Sequence, residues 1–179
     1  KIISYLGRLD AEKHLSALVK AFVQVHATLP DTHLLLVGSG TDEDYLHRLV
    51  AEHRLEDSVT FTGRVSDEEI VELHKVGSVY VMPSPAELQS IATLEAMASG
   101  QPIVAVDAGA LKELCQNERN GYLCEKDNSD QIAAGVTKIL SDKALHDRFA
   151  AESLAIASEH DIQTTYDRFE SIYSDLINS

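Results

Sequence analysis

A short segment near the start of the chain combines a glycine with two basic residues at a spacing that suits phosphate binding. Gly7 permits a sharp turn directly after an apolar run. The guanidinium of Arg8 matches the geometry of phosphate oxygens, and Lys13 supplies a point charge. We place Lys13 in the first turn of the following helix, where the helix dipole disfavours a cation unless an anion is bound. The segment therefore indicates either an anion-binding site or two solvated surface charges.

A second candidate segment is a predicted helix at residues 90–99, which is made mostly of small and apolar residues. One glutamate lies within this helix and another lies on the loop before it. Glu95 is the only charge in this helix and stands at the margin of its apolar face. A partly buried carboxylate needs a partner. That partner is either a salt bridge or backbone group within the protein, or a set of hydroxyls on a ligand. Glu87 lies on the preceding loop, near the helix N-terminus, and by itself it is an ordinary exposed acid.

A third candidate segment is Gly38-Ser39-Gly40, which follows another apolar run. Such a segment is either a phosphate loop or a turn, and the lack of the third glycine of a dinucleotide fingerprint favours the turn. The eight histidines show no metal-ligand spacing. The chain also has no Walker lysine motif and no G-x-S-x-G elbow. We therefore expect neither a metal site nor a serine or Cys–His nucleophile.

The elements that must position these residues alternate along the chain. Six short apolar segments predict strands buried on both faces, as in a parallel sheet, at residues 2–6, 33–37, 59–62, 79–82, 103–106 and 122–124. Helices are predicted at residues 14–29, 42–54, 66–76 and 90–99, and then consecutively at 129–140, 142–159 and 161–177. The prediction is an α/β fold, a Rossmann-like doubly wound parallel sheet of about six strands with a helical C-terminal tail. Ligands bind such sheets at the carboxyl ends of the strands, where the candidate residues fall.

Composition narrows the class of protein further. The 179 residues are 44% apolar and 25% charged, which is typical of a single folded domain. We expect its sheet and crossover helices over about residues 1–125 and its C-terminal helices over about residues 128–179.

A net charge of −14 argues against nucleic-acid binding, although residues 1–30, with four basic and two acidic residues, form a locally positive region. No apolar run is long enough for a transmembrane helix, and only two cysteines, Cys115 and Cys124, favour a reducing cytoplasmic setting.

Taken together, these motifs resemble the C-terminal half of a retaining nucleotide-sugar glycosyltransferase of the two-domain B type, glycosyltransferase family 4. The resemblance runs from residue 2 to about residue 128. It is specific because the motifs occur in the family's order. Residues 7–13 resemble the family's G-R-L…E-K element, and residues 62–65 resemble its base-contacting turn. Residues 83–105 resemble its P-S…E-x7-E-A-M-A-x-G-x-P-V-V-A block.

The resemblance implies a role for each candidate residue. Arg8, Lys13 and Glu87 are the implied catalytic residues: the two cations hold the donor diphosphate, and Glu87 contacts the transferred sugar. Glu95 accepts hydrogen bonds from the ribose hydroxyls. The other implied substrate contacts come from Gly7, from the backbone N–H groups of Ser90 and Ile91 at a helix N-terminus, and from the base-contacting turn at Arg64 and Val65.

The sequence also departs from the family pattern. Residues 88–90, Leu-Gln-Ser, replace the usual G-F-G after the first glutamate, whose glycines let the backbone approach the sugar. His14 stands where the family commonly has a glycine. The family's N-terminal domain, which carries acceptor contacts, has no counterpart here. We therefore expect this chain to be one half of an enzyme, inactive alone, whose last helix, from Asp161, contacts the missing domain.

The resemblance implies transfer of a sugar with retention from a UDP-, GDP- or ADP-sugar to a carbohydrate or lipid acceptor. This chain then supplies the donor site, with no metal or other cofactor. Two alternatives are a non-catalytic nucleotide-sugar-binding module and a B-type sugar-nucleotide epimerase. The expected location is the cytoplasm, including the inner face of the membrane, with no nucleic-acid partner.

Overall fold

The computed structural model describes residues 1–177, and its core is a six-stranded, entirely parallel sheet. The strands are β1 (Ile2–Leu6), β2 (His33–Val37), β3 (Val59–Phe61), β4 (Val79–Met82), β5 (Ile103–Val106) and β6 (Gly121–Cys124). They lie in the order β3-β2-β1-β4-β5-β6. The order reverses between β1 and β4, and ligands of sheets of this class bind at the carboxyl ends of the strands, beside such a switch point.

Helices connect the strands and flank the sheet. They are α1 (Leu15–Thr28), α2 (Glu43–Glu52), α3 (Asp67–Val76), α4 (Ile91–Ala98), α5 (Leu111–Leu114), α6 (Ser129–Ser141), α7 (Lys143–Ser158) and α8 (Ile162–Ile177). On one side α1 packs against α2 and α6, and elsewhere α4 packs against α7. Single turns of 3-10 helix lie at Ala11–Lys13 and Glu56–Ser58.

The strands are apolar along nearly their whole length because helices cover the sheet. Every residue of β4 and of β5 is buried. α1 faces the sheet with a stripe at helical spacing that includes Leu15, Leu18 and Phe22. Burial of one such side chain contributes about 1.5–3 kcal/mol. This core holds the strand ends, and therefore the loops that follow them, in fixed positions.

The predicted fold class is confirmed, and all six predicted strands and seven predicted helices are present within residues 1–177. The third strand ends at Phe61, one residue earlier than predicted. α1 begins at Leu15 because His14 has a left-handed backbone, with φ 54°, and so lies outside the helix. The sequence did not predict α5, since a single turn is too short to show a helical period.

The last helix, α8, lies on the outside of the molecule, and none of its described residues is buried. Five apolar side chains spaced three or four residues apart are each more than half exposed, which gives the helix an uncovered apolar face: Ile162, Tyr166, Phe169, Tyr173 and Ile177. A contiguous apolar face of this kind is typical of a surface that packs against another unit. In the described residues no helix combines the length and apolarity needed to cross a bilayer.

Candidate functional site

A cleft of about 620 Å³ opens at the carboxyl ends of β1, β2 and β3. The loop after β1 supplies Gly7 and Arg8, the loop after β2 supplies residues 38–41, and the turn after β3 supplies Arg64 and Val65. Its volume lies in the range of small-ligand sites in proteins. The cleft therefore brings together two predicted binding segments, the first loop and the base-contacting turn, that are far apart in the sequence.

The cleft depends on a close approach of three backbone segments. The backbone N–H of Gly7 donates to the carbonyl oxygen of Val37, and that of Gly38 donates to the carbonyl oxygen of Gly63, each at 3.0 Å. Gly38 has φ +124°, and a Cβ at this position would lie 2.0 Å from the carbonyl oxygen of Gly7. Residues 38–40 therefore form a wall of the cleft, and Gly38 makes an isolated bridge with Gly63.

A Gly38→Ala substitution is expected to destabilise the fold by about 3 kcal/mol, because it combines backbone strain with overpacking. Gly63→Ala is the matched control: Gly63 also has positive φ, at +66°, but no atom lies within 4 Å of a Cβ there. The control is expected to lose only about 1–2 kcal/mol, the cost of a left-handed backbone. Urea unfolding of both variants measures the difference, and equal losses would show that the Gly7–Gly38 approach is not tight.

Arg8 lies at the rim of the cleft, with 64% of its side chain exposed. Its guanidinium binds the carboxylates of Asp10 and Glu12. Asp10 also accepts hydrogen bonds from the backbone N–H and the hydroxyl of Thr41, at 2.9 and 3.0 Å. These two bonds, helped by the charge of Arg8, lower the pKa of Asp10. Arg8 is therefore held by two carboxylates that the sequence analysis did not assign as its partners, although spacings of two and four residues signal such contacts.

Lys13 and Glu87 form an ion pair across the switch point of the sheet. Nζ of Lys13 lies 2.7 Å from Oε1 of Glu87, and the two side chains are only 14% and 11% exposed. Lys13 follows β1 and Glu87 follows β4, the strands between which the order reverses. The placement of Lys13 in the first turn of a helix was wrong. Lys13 ends a 3-10 turn, and His14 separates it from α1, so the dipole argument does not apply.

The positive charge expected for the first loop is offset by this pairing. Two cations, Arg8 and Lys13, contact three carboxylates, those of Asp10, Glu12 and Glu87, which gives the cluster a formal charge of −1. An anion that binds here therefore competes with three carboxylates for the two cations.

Two of the three residues that stand at family glycine positions, His14 and Ser90, have left-handed backbones with φ of 54° and 53°. Glycine adopts this conformation freely, whereas another residue loses about 1–2 kcal/mol. Side-chain contacts compensate: Nδ1 of His14 lies 2.6 Å from Oδ1 of Asp127, and Oγ of Ser90 lies 2.7 Å from Oγ1 of Thr93. The backbone therefore follows a path that suits glycine even though the glycines are absent.

The N-terminus of α4 contributes the predicted backbone donors. Ser90 is the N-cap, and its carbonyl oxygen accepts from the N–H groups of Thr93 and Leu94. The first N–H groups of a helix have no acceptor within the helix, so the start of α4 at Ser90 and Ile91 is a natural anion contact. Ser90 is buried, whereas the Ile91 side chain is exposed.

Glu95 lines a second cleft, of about 380 Å³, between α3 and α4. Its side chain is 45% exposed, and its Oε2 lies 3.5 Å from Nε2 of His74, which is buried. Burial lowers the pKa of His74, and the Glu95 carboxylate acts in the opposite direction. Ile70 lines both clefts, which are therefore adjacent. His74 was not among the residues predicted from the sequence, although its position four residues after Ile70 places it on the same inward face of α3.

Solved glycosyltransferase structures share this doubly wound sheet, so the fold is that of a glycosyltransferase domain of the B type. Residues 1–154 match the family described as Glycosyl transferases group 1, and the chain belongs to that family.

Individual relatives agree with this assignment. An uncharacterized glycosyltransferase of Haemophilus influenzae is 30% identical over 173 residues, which cover 96% of this chain and 48% of the relative. The Anabaena protein HepE in complex with UDP superposes with a TM-score of 0.88 at 27% identity, over 97% of this chain and 48% of HepE. The C-terminal domain of LpcC from Francisella tularensis has a TM-score of 0.83 at 27% identity, over 90% of this chain and 86% of that domain. This chain thus spans about half the length of the Haemophilus relative and of HepE.

Proposed function

We propose that this chain supplies the donor site of a retaining glycosyltransferase of family 4, which transfers a sugar from a nucleoside-diphosphate sugar to an acceptor. The observation that carries the proposal is the pair of adjacent clefts. One lies at the strand ends, with basic side chains and glycine backbone, and the other lies between α3 and α4, with an exposed carboxylate. Membership of the group 1 family and the UDP bound by HepE support it.

In this proposal the diphosphate lies over the loop after β1. Arg8 and Lys13 exchange part of their carboxylate contacts for phosphate oxygens, and the backbone N–H groups of Ser90 and Ile91 add donors. As the C1–O bond breaks, the sugar becomes oxocarbenium-like and negative charge accumulates on the leaving diphosphate. Fixed cations and a helix N-terminus stabilise that charge without a metal ion. Glu87, which Lys13 holds in place, contacts hydroxyls of the transferred sugar.

The nucleoside occupies the two clefts on either side of Ile70, which lines both. The turn at Arg64 and Val65 contacts the base through its backbone, and Gly7 leaves room for the ligand beside β1. Glu95 accepts hydrogen bonds from the 2′- and 3′-hydroxyls of the ribose. Its exposed fraction of 45% leaves a carboxylate oxygen accessible for this contact.

A Glu95→Gln variant is expected to discriminate less well between UDP and 2′,3′-dideoxy-UDP than the wild-type chain. A carboxylate accepts from both ribose hydroxyls, whereas a glutamine amide accepts with only one oxygen. A hydrogen bond to a charged group contributes about 1.5–3 kcal/mol, so the wild-type preference is expected to fall by about tenfold or more. Titration calorimetry measures both affinities. A wild-type chain that binds the two nucleotides equally would make Glu95 a structural residue.

The experiment that tests the proposal is a thermal-shift panel of UDP-, GDP- and ADP-sugars on this chain. A ligand that binds only the folded state raises its stability by RT ln(1 + [L]/Kd). We expect one of the three nucleotide classes to raise the melting temperature most, and nucleosides without phosphate to have a much smaller effect. No shift with any of the three classes would contradict the donor-site assignment.

The acceptor, a carbohydrate or lipid, is proposed to bind to a further N-terminal domain of the full protein, in the cytoplasm or at the inner face of the membrane. The uncovered apolar face of α8 is the surface proposed to contact that domain. A full-length protein that binds the donor but never releases nucleoside diphosphate would instead be a non-catalytic nucleotide-sugar-binding module.

A further inference from the structure

The imidazole of His74 has a buried polar atom without a full hydrogen bond. His74 is only 4% exposed, and within residues 1–177 its Nε2 has no hydrogen-bond partner. Oε2 of Glu95 lies 3.5 Å away, longer than an ordinary hydrogen bond. An unsatisfied buried donor or acceptor destabilises the folded state, and the Glu95 carboxylate is the acceptor nearest to this atom among its recorded contacts.

Gln101 determines which nitrogen of His74 carries the proton. Nε2 of Gln101 donates to the backbone carbonyl oxygen of His74 at 2.8 Å, and this contact requires the amide NH₂ to face α3. The same NH₂ group lies 3.4 Å from Nδ1 of His74. Nδ1 is therefore an acceptor, and in the neutral ring the proton lies on Nε2, which faces Glu95.

The amide of Gln101 is itself fixed from the other side. Its Oε1 accepts a hydrogen bond from the Ser4 hydroxyl on β1 at 2.8 Å, and both side chains are buried. Gly77 makes space for the amide, since a Cβ there would lie 2.2 Å from Oε1 of Gln101. A chain of contacts thus leads from the central strand, through Gln101 and His74, to the carboxylate at the second cleft.

We propose that His74 is a positioning residue for nucleotide binding, whose Nε2–H donates to one lone pair of Oε2 of Glu95. This contact fixes the carboxylate so that Oε1 and the second lone pair of Oε2 accept from the ribose hydroxyls. This inference rests on the proposed role of Glu95 as the ribose acceptor. Glu95 stands on a surface helix, with no other ion pair to a described residue, so the imidazole is the contact that orients its carboxylate. The low pKa of the buried ring agrees with this role, since a neutral ring at pH 7 donates one N–H without adding a charge.

Four variants test the inference: His74→Leu, His74→Gln, Glu95→Gln and His74→Leu with Glu95→Gln. Each is titrated with UDP, GDP and ADP and with the 2′,3′-dideoxy form of each. His74→Leu is expected to weaken binding of the best ribonucleotide by roughly tenfold and to leave its dideoxy form unchanged. His74→Gln, which keeps an N–H donor in the same region, is expected to restore most of the loss. In the Glu95→Gln background, His74→Leu is expected to have no further effect.

The outcomes separate the inference from the proposed function. Equal losses for the ribose and dideoxy forms, or the same loss in the Glu95→Gln background, would make His74 a packing residue only and would overturn the inference while Glu95 keeps its role. A wild-type chain without ribose preference would overturn the role of Glu95 and the positioning role with it. A readout without ligand is the ¹⁵N NMR spectrum of the His74 ring above pH 7. The Nε2–H tautomer is expected, and the Nδ1–H tautomer would contradict the inference.

Discussion

A Lys13→Met variant is expected to bind nucleoside diphosphates about ten- to a hundredfold more weakly than the wild-type chain, with little change for the nucleosides. Methionine keeps the aliphatic stem of Lys13 and removes only the ammonium group. A charge-assisted hydrogen bond contributes about 1.5–3 kcal/mol, and about 1.4 kcal/mol corresponds to one decade in Kd. Calorimetric titration of UDP, GDP and ADP against uridine, guanosine and adenosine measures the effect. Arg8→Ala is expected to act in the same direction but less strongly, because Arg8 is largely exposed and shared with two carboxylates.

Two control variants separate this effect from lost stability. Lys20→Met removes the same charge from an exposed position on α1 and is expected to bind like the wild type. Lys13→Met alone leaves the nearly buried carboxylate of Glu87 unpaired, and breaking a buried pair costs about 3–5 kcal/mol. The double variant Lys13→Met with Glu87→Gln avoids that cost and is expected to show the same loss of diphosphate affinity. Equal losses for nucleoside and diphosphate, or a Lys20→Met variant that binds as weakly, would refute the role of Lys13.

The chain of residues 1–179 alone is expected to fold, to bind donor weakly and to transfer no sugar at a measurable rate. Folding is expected because the sheet has its own apolar core and helix cover, and the similar LpcC domain forms crystals without the rest of its protein. Transfer needs an acceptor held against C1 of the donor. Positioning of reactants accounts for about 7–11 kcal/mol of a barrier, and closure of two domains is proposed to supply it.

Release of nucleoside diphosphate from UDP-, GDP- and ADP-sugars, with simple sugars as acceptors, measures this expectation. The isolated chain is expected to release no more than buffer, while the same sample shows donor binding by calorimetry. Stoichiometric transfer with retention by this chain would mean that the acceptor site lies within it. That result would contradict the proposal that it is the donor half of an enzyme.

The fold could be predicted from the sequence because its signals are local. Continuous apolar segments such as residues 79–82 indicate a covered parallel strand, and the alternation with amphipathic segments indicates crossover helices. The sharp bends at Gly7 and Gly38 could be expected for the same reason, because a positive φ depends on the type of a single residue.

The long-range contacts of the candidate site could not be predicted, because they join residues distant in sequence. Lys13 and Glu87 meet only because β1 and β4 are neighbours at the switch point. His74 lies on α3 and Gln101 in the loop between α4 and β5, so they meet only in the folded chain, and neither residue type by itself indicates a partner. The burial of His74 shields its Nε2 from water, and this burial is likewise a property of the assembled fold.

The central claim, that the two adjacent clefts bind a nucleoside diphosphate, is tested most directly by ¹H–¹⁵N NMR titration of this chain with UDP, GDP and ADP. The account predicts that the backbone amides with the largest shifts are those of residues 7–8, 38–41 and 64–65, of residues 90–91 and of Glu95. These amides surround the two clefts and the N-terminus of α4. The groove between α1 and α6, near Gln24 and Thr137, is the internal control and should show none. Saturable shifts confined to that groove, or no shifts with any of the three nucleotides, would contradict the account.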